Sequence, residues 1–481
     1  MSDLIETRLF INNEFRKAAS GQSFTLRRSY DDSILAEDVQ IAGEKDVDDA
    51  VNAALVAYRK WRKTPAQERA KCMNKLADLI DENLEWLAEL ETAAMGAPIS
   101  ATKWIASTMS NWWRYYAGWT DKIAGESLED VDGTYRLIRY EPIGVCAGIA
   151  SWNATLFYLC WKIAPAVAAG NTFVFKTSEK SPLGALRFAS LVKCAGFPPG
   201  VINFVTGEGA TGALLASHMD VRKISFTGST AIGRKIQVAA ANSNLKRVTL
   251  ELGGKSAAII FEDADLGNAL THMSRGFLLN SGQVCAATTR MLVHESIAEN
   301  FVSQLKDQFR DFAKSLGDPT DPATFLGPIV DETQFQRVMS FLEIARQENL
   351  KVLAGGKRHN EKARFVEPTI ILDPPIASPL YKDEIFGPVL VIKTFKTEAE
   401  AISLANDTVY GLGAAIFTGN VSRALRLSSE LECGFVGVNM AVAPTAQTPF
   451  GGVKQSGYGR EGGKQGLMAY LDAKTVAIAM L

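Results

Sequence analysis

Between residues 144 and 262 the chain alternates short β-branched or aromatic runs with longer helical stretches. The runs fall at 144–150, 172–176, 201–205, 223–227 and 256–261. A strand that returns through a helix to the same sheet lies parallel to its predecessor, and the crossover helices cover both sheet faces. Such a sheet binds its ligands beyond the carboxyl ends of its strands. The rhythm predicts an α/β fold with a Rossmann-like parallel sheet. It also directs attention to the residues that follow each run.

The remaining chain is organised around that block. Residues 43–95 read as helices, with Leu76, Leu79, Ile80, Leu84, Leu87 and Leu90 at three-to-four spacing and Gly96 as a stop. A second α/β region runs from Asp263 to about Lys454. Stretches 134–140 and 475–480 alternate like strands, and fit either internal sheet edges or pairing with another subunit. The expected division is a dinucleotide-binding domain of residues 1–122 and 143–253, a catalytic domain of 254–454, and a small β oligomerisation arm of 123–142 and 455–481. A length of 481 residues accommodates this.

Charge excludes several function classes. With 51 basic and 53 acidic residues, nothing favours nucleic acid or an anionic membrane surface. No apolar run approaches the roughly 18 residues of a bilayer span. The opening Met1-Ser-Asp-Leu-Ile-Glu-Thr lacks the layout of a secretory leader, and Ala479-Met-Leu481 is not a peroxisomal address, so a cytoplasmic protein is expected. The six cysteines form no C-x-x-C pair, and with only four histidines no metal site is expected.

Two glycine patterns follow predicted strands. Gly207-Glu-Gly209-Ala-Thr-Gly212 is a literal G-x-G-x-x-G, but the acidic residue expected at the end of the next strand is missing, because that strand ends Phe226-Thr227-Gly228. The second, Phe226-Thr-Gly-Ser-Thr-Ala-Ile-Gly233, passes from strand to helix. Its N–H groups and the Ser229 hydroxyl suit a pyrophosphate, while plain capping of the helix by Ser229 or Thr230 explains the same residues.

Three residues carry candidate chemistry. Cys285, in Asn280-Ser-Gly-Gln-Val-Cys285, is a lone thiol among small residues, a candidate nucleophile or an inert core thiol. Glu251, in Glu251-Leu-Gly-Gly-Lys255, is a candidate base, or else a solvated carboxylate. Its neighbours Gly253 and Gly254 would leave room for a moving carboxylate. Asn153 follows the first strand of the block, where its amide can serve an oxyanion or an Asx turn.

Together these residues resemble the aldehyde dehydrogenase superfamily along nearly the whole chain. The matching motifs are Ser151-Trp-Asn-Ala-Thr155, Lys176-Thr-Ser-Glu179, Phe226-Thr-Gly-Ser-Thr230 with Gly233, Glu251-Leu-Gly-Gly-Lys255, Gly282-Gln-Val-Cys285, Glu384-Ile-Phe-Gly-Pro388 and Pro449-Phe-Gly-Gly452. The resemblance implies that Cys285 attacks the aldehyde, Asn153 with the Cys285 backbone N–H receives the oxyanion, and Glu251 activates water against a thioester. It implies a cofactor site of Trp152, Lys176, Glu179, Gly209, Gly228, Ser229, Gly233, Leu252, Glu384 and Phe386, and it prefers the Gly228–Gly233 turn for the pyrophosphate. Glu179 at the adenosine ribose would repel a 2′-phosphate, which favours NAD, although Lys180 next to it leaves NADP open. Lys162 would either shape the thiol's environment or sit on the surface. Ser151, Thr155 and Thr177 stand where the family often has proline; no donor or base is lost by this.

The substrate mouth is expected from Trp113, Ala154, Phe157, Tyr158, Trp161 and the uncharged loop Met440-Ala-Val-Ala-Pro-Thr-Ala446, which suits an apolar or aromatic aldehyde. Partners are then the aldehyde and further copies of the chain, as dimer or tetramer. Rival readings are a CoA-acylating aldehyde dehydrogenase, which needs no water base, a cysteine hydrolase, which wants a histidine, and a non-catalytic protein on the same fold.

Overall fold

The computed structural model describes residues 5–129, 131–360 and 363–480. The outermost residues of the leader and peroxisomal readings, Met1–Leu4 and Leu481, therefore lie outside the described residues.

The first sheet has five parallel strands at its centre. In spatial order they are Arg247–Glu251, Val221–Thr227, Val145–Ile149, Thr172–Lys176 and Ile202–Val205. Val145–Ile149 and Thr172–Lys176 are buried throughout, as strands covered on both faces must be. Antiparallel strands close the edges: Gly457–Tyr458 beside Arg247–Glu251, and Leu9–Ile11 with Glu14–Arg16 beyond Ile202–Val205.

The last run of the predicted block belongs elsewhere. Ala257–Ile260 lies in a second sheet, ordered Lys351–Ala354, Thr369–Leu372, Val389–Phe395, Arg290–His294, Ala257–Ile260, Gly413–Phe417 and Phe435–Val438, and parallel except at its first pair. The chain changes sheets within the short connector after Glu251, and the strand Arg247–Glu251 takes the expected place in the first sheet. Stretches 134–140 and 475–480 pair with each other, as Thr134–Pro142 antiparallel to Leu471–Ala479, with Glu126–Ser127 outside. The helical stretch before Gly96 is two helices, Ala66–Glu82 and Leu84–Met95, broken at Asn83; Gly96 ends the second with φ +80°.

Register aligns the strand ends. Thr227 pairs with Glu251, Phe226 with Ile149, and Ile149 with Lys176. The segments after these residues therefore emerge side by side at one end of the sheet. No helix is long and apolar enough to cross a membrane among the described residues.

Candidate active site

A cleft of about 560 Å³ opens at these strand ends. Ser151, Trp152 and Asn153 reach it from the first central strand, Gly228, Ser229 and Arg234 from the helix Thr230–Asn242, and Glu251 and Leu252 from the last; Cys285, Glu384 and Phe386 approach from the second sheet's loops.

Cys285 sits just beyond a short turn, Leu279–Gly282, in which Asn280, Ser281 and Gly282 all have positive φ. Each non-glycine residue in that region costs on the order of 1 kcal/mol, so the loop must be held. The Ser281 hydroxyl donates to the Gly327 carbonyl at 2.7 Å, and the Gln283 amide oxygen accepts from the Val330 N–H at 3.0 Å. A Cβ on Gly282 would lie 2.4 Å from the Gly387 carbonyl oxygen, so only glycine fits there.

Glu251 is buried, and neither carboxyl oxygen has an aligned hydrogen-bond partner among the described residues. Burial pushes it up to about 8, while the adjacent Cys285 thiol acts in the opposite direction. Cys285 is raised well above the ordinary thiol value, by burial first and by Glu251 second. The pair therefore rests near neutral pH as thiol and carboxylic acid. A carboxyl with that value can pass a proton either way near pH 8.

The Asn153 amide donates to the Gln283 carbonyl at 3.1 Å, which ties it to the loop of Cys285. Its oxygen accepts from the Ser151 hydroxyl at 2.7 Å and the Tyr158 hydroxyl at 3.1 Å.

Beside the Gly253–Gly254 connector, Glu384 accepts from the Gly254 N–H at 3.0 Å. Burial pushes its carboxyl up to about 7. Phe386 has φ +60° and meets Trp152 edge-on at 5.5 Å. Two residues absent from the sequence reading hold this loop: Gln334 donates to the Ile385 and Phe386 carbonyls at 3.1 and 2.9 Å, and Arg337 to the Glu384 carbonyl at 2.6 Å. Both lie on the helix Glu332–Gln347, whose pattern carries no signal for them.

Ser229 caps the helix Thr230–Asn242, its hydroxyl accepting from the Ile232 N–H at 3.4 Å. Gly233 is needed for packing, because a Cβ there would stand 2.6 Å from Leu252. Gly209 starts the next helix to the side, Gly209–Ser217, and is open to solvent. Lys176 is buried, donates to the Thr177 carbonyl at 3.1 Å and stands 3.9 Å from Glu179; burial lowers its ammonium. Lys180 is not free to soften Glu179: it pairs with Asp331 at 2.5 Å and lies over the Trp152 ring.

Two expectations are corrected. Trp113 does not line the mouth; it is fully buried against Phe188 and Phe197, at 5.7 and 6.3 Å between rings. Its neighbour Trp112 meets Phe157 and Trp161 instead, in an aromatic group that also takes in Phe450, 5.1 Å from Trp161. Phe450 stands in a quoted motif, yet its spacing gave it no role. Val442 and Ala446 of the 440–446 loop pack into the same cluster as Tyr158 and Cys285. Lys162 is not on the surface: it is fully buried and donates to Glu461 at 2.5 Å and Ser225 at 3.0 Å.

A parallel sheet whose strand ends meet a thiol, a buried carboxyl and an anchored amide defines a nucleotide-binding enzyme with a cysteine at its centre. The sequence profile of the aldehyde dehydrogenase family matches residues 15–476. Among relatives, an aldehyde dehydrogenase of Davidiella tassiana is 46% identical over 476 residues, 98% of this chain and 95% of that protein. Human retinal dehydrogenase 2 is 44% identical over 478 residues, 98% of this chain and 92% of that protein. A point mutant of betaine aldehyde dehydrogenase from Staphylococcus aureus, solved in complex with NAD+, superposes with a TM-score of 0.96 at 35% identity, covering 99% of this chain and 98% of that one. The chain belongs to the aldehyde dehydrogenase family. It is an NAD-dependent enzyme that oxidises aldehydes.

Proposed function

We propose that the enzyme converts an apolar or aromatic aldehyde to the free carboxylic acid, with water rather than CoA releasing the product. The observation that carries this reading is Glu251, a buried carboxyl beside the Cys285 thiol with no aligned partner of its own.

The residues present fit NAD. The buried Lys176 ammonium and half-exposed Glu179 would take the adenosine ribose, and the engagement of Lys180 by Asp331 leaves Glu179 to disfavour a 2′-phosphate. Gly228, Ser229 and the N-terminus of Thr230–Asn242 would face the pyrophosphate, with Gly233 and Leu252 packed behind and Gly209 at the adenine side. Glu384 has one oxygen on the Gly254 N–H and the other for the nicotinamide ribose, with Trp152 and Phe386 beside it.

Cys285 sulfur adds to the carbonyl carbon, its proton passing to Glu251 in its ionised form. The carbonyl π pair moves onto oxygen, which the Asn153 amide and the Cys285 backbone N–H receive. Bound NAD+ supplies the acceptor for the hydride and its electron pair. The C–O bond regains its double character, which leaves a thioester on Cys285. Glu251 releases the thiol's proton to solvent and, ionised again, takes a proton from water as the water oxygen adds to the thioester carbon. The C–S bond breaks, the acid leaves, and Glu251 returns its proton to the sulfur.

The aromatic group of Trp112, Phe157, Trp161 and Phe450, with Tyr158 beside it, supports an apolar substrate. We also place the enzyme in the reducing cytoplasm, consistent with six free cysteines, and expect a homo-oligomer built on the outer edge of Leu471–Ala479. The test is NADH formation without CoA across an aldehyde panel. Benzaldehyde should outrun a carboxylate-bearing semialdehyde, and Cys285→Ala should abolish oxidation while still binding NAD+. Equal turnover of the two aldehydes overturns the substrate reading. Dependence on CoA overturns the hydrolytic one.

A further inference from the structure

We infer that Ser151 and Tyr158 are positioning residues that fix the Asn153 amide as an oxyanion donor; this rests on the oxyanion reading of Asn153 given above. The sequence treats Ser151 as a neutral replacement for a backbone-stiffening proline. In the fold it is a hydroxyl with a partner, 2.7 Å from the Asn153 Oδ1. Tyr158, from the turn Thr155–Tyr158 on the far side of Asn153, brings a second hydroxyl to the same oxygen at 3.1 Å. All three side chains line the cleft with Cys285.

A carboxamide oxygen has two lone pairs, and its nitrogen has two hydrogens. Here both lone pairs face hydroxyl donors, and one N–H is spent on the Gln283 carbonyl at 3.1 Å. One N–H remains, on a side chain already in the cleft wall. A half-turn of the amide would set Oδ1 against the Gln283 carbonyl oxygen and present an acceptor, not a donor, to a developing negative charge. The two hydroxyls therefore decide which end of the amide faces the reaction. They also draw electron density toward Oδ1, which makes the remaining N–H a stronger donor. Neither hydroxyl needs to touch the substrate for this.

The test is a double-mutant cycle read in two reactions, NAD-dependent aldehyde oxidation and cofactor-free hydrolysis of p-nitrophenyl acetate, with NAD+ affinity and melting temperature measured alongside. In the wild-type background Ser151→Ala should lower kcat/KM in both reactions by about three- to tenfold, the range of one hydrogen bond. Ser151→Thr, which keeps the hydroxyl, should recover most of the loss. In the Asn153→Ala background Ser151→Ala should cost almost nothing, because the group it acts through is gone. Tyr158→Phe should behave likewise. If its buried site fails to fold without the hydroxyl, the half-buried Ser151 series still decides. No loss from Ser151→Ala, or an equal loss in both backgrounds, overturns the inference while leaving Asn153 in its role. An Asn153→Ala enzyme with full activity instead removes the oxyanion reading itself.

Discussion

Replacing Glu251 by Gln separates the chemical from the structural consequence of burying a carboxyl beside Cys285, the proposed nucleophile. Burial pushes Glu251 up to about 8 from an ordinary 4.5. With that value roughly one-tenth of the enzyme carries the carboxylate at pH 7 and roughly nine-tenths at pH 9. The rate of thioester hydrolysis should therefore climb about tenfold over that interval and level off above it. Glu251→Gln should flatten the profile and lower the plateau by about 100-fold or more, while a stopped-flow burst of NADH persists but is slowed, because the acyl-enzyme still forms once the thiol loses its proton to water instead of to Glu251. Stability responds with a defined sign. Below pH 4.5 the carboxyl is protonated both folded and unfolded. As pH rises from 4.5 to about 8 the unfolded chain ionises while the folded site holds its proton, so the stability this group contributes is lost as pH passes through the folded value. The full swing is on the order of 3–5 kcal/mol. Thermal melts should show wild type losing stability relative to Glu251→Gln between pH 5 and pH 9, and a constant gap across that range would refute the buried, proton-holding carboxyl. A pH–rate profile unchanged in the variant would refute its role as base.

Other perturbations address separate parts of the site. Gly233→Val places carbon where Leu252 stands 2.6 Å from a Cβ, and should weaken NAD+ binding by about tenfold in a fluorescence titration without removing the fold. Glu179→Ser should raise the NADP/NAD ratio of kcat/KM by about tenfold or more, because it removes the carboxylate proposed to repel a 2′-phosphate and leaves the Lys176 ammonium in place, while Lys180 stays held by Asp331. Lys162→Met removes the paired ammonium from the buried Glu461 carboxylate, which keeps the Ser225 hydroxyl and the more distant Lys223 charge, and should cost about 3–5 kcal/mol, visible as a lowered melting midpoint.

Local signals in the sequence made much of this site legible. Four of the five predicted runs are strands of the first sheet, and the residues after Val145–Ile149 and Val221–Thr227 line the cleft, because a parallel sheet exports its functional groups at one end; Lys176, Glu179 and Gly209, at the ends of the other two, lie outside its lining. The failures share a cause: they depend on partners far along the chain. Adjacent residues of a helix point about 100° apart, so Trp112 and Trp113 on Ile99–Ala117 face different neighbours, and the spacing cannot say which faces the mouth. Lys162 looks like a surface lysine until Glu461, 299 residues later, is placed beside it. Gln334 and Arg337 contact a loop about 50 positions away, through backbone carbonyls that no motif records.

The Gly253–Gly254 pair gives the catalytic geometry a different meaning from the one its residue types suggest. Glycines beside Glu251 invite the idea of space for a swinging carboxylate. In the fold that space is taken: a Cβ on Gly253 would lie 2.4 Å from a Glu384 oxygen, and one on Gly254 would lie 2.4 Å from the Cys285 carbonyl oxygen. The pair stands where the chain leaves the first sheet for the second. Its bare backbone lets two loops of the second sheet, one carrying the thiol and the other the Glu384 carboxyl, close onto the end of the first. A cofactor sheet alone offers helix N-termini and glycines, which bind but do not react. The proposed covalent chemistry requires a nucleophile brought against Glu251, the last residue of the strand Arg247–Glu251. Removing two side chains from the connector is what permits that approach, so the glycines bring Cys285 and Glu251 together more directly than they free either to move.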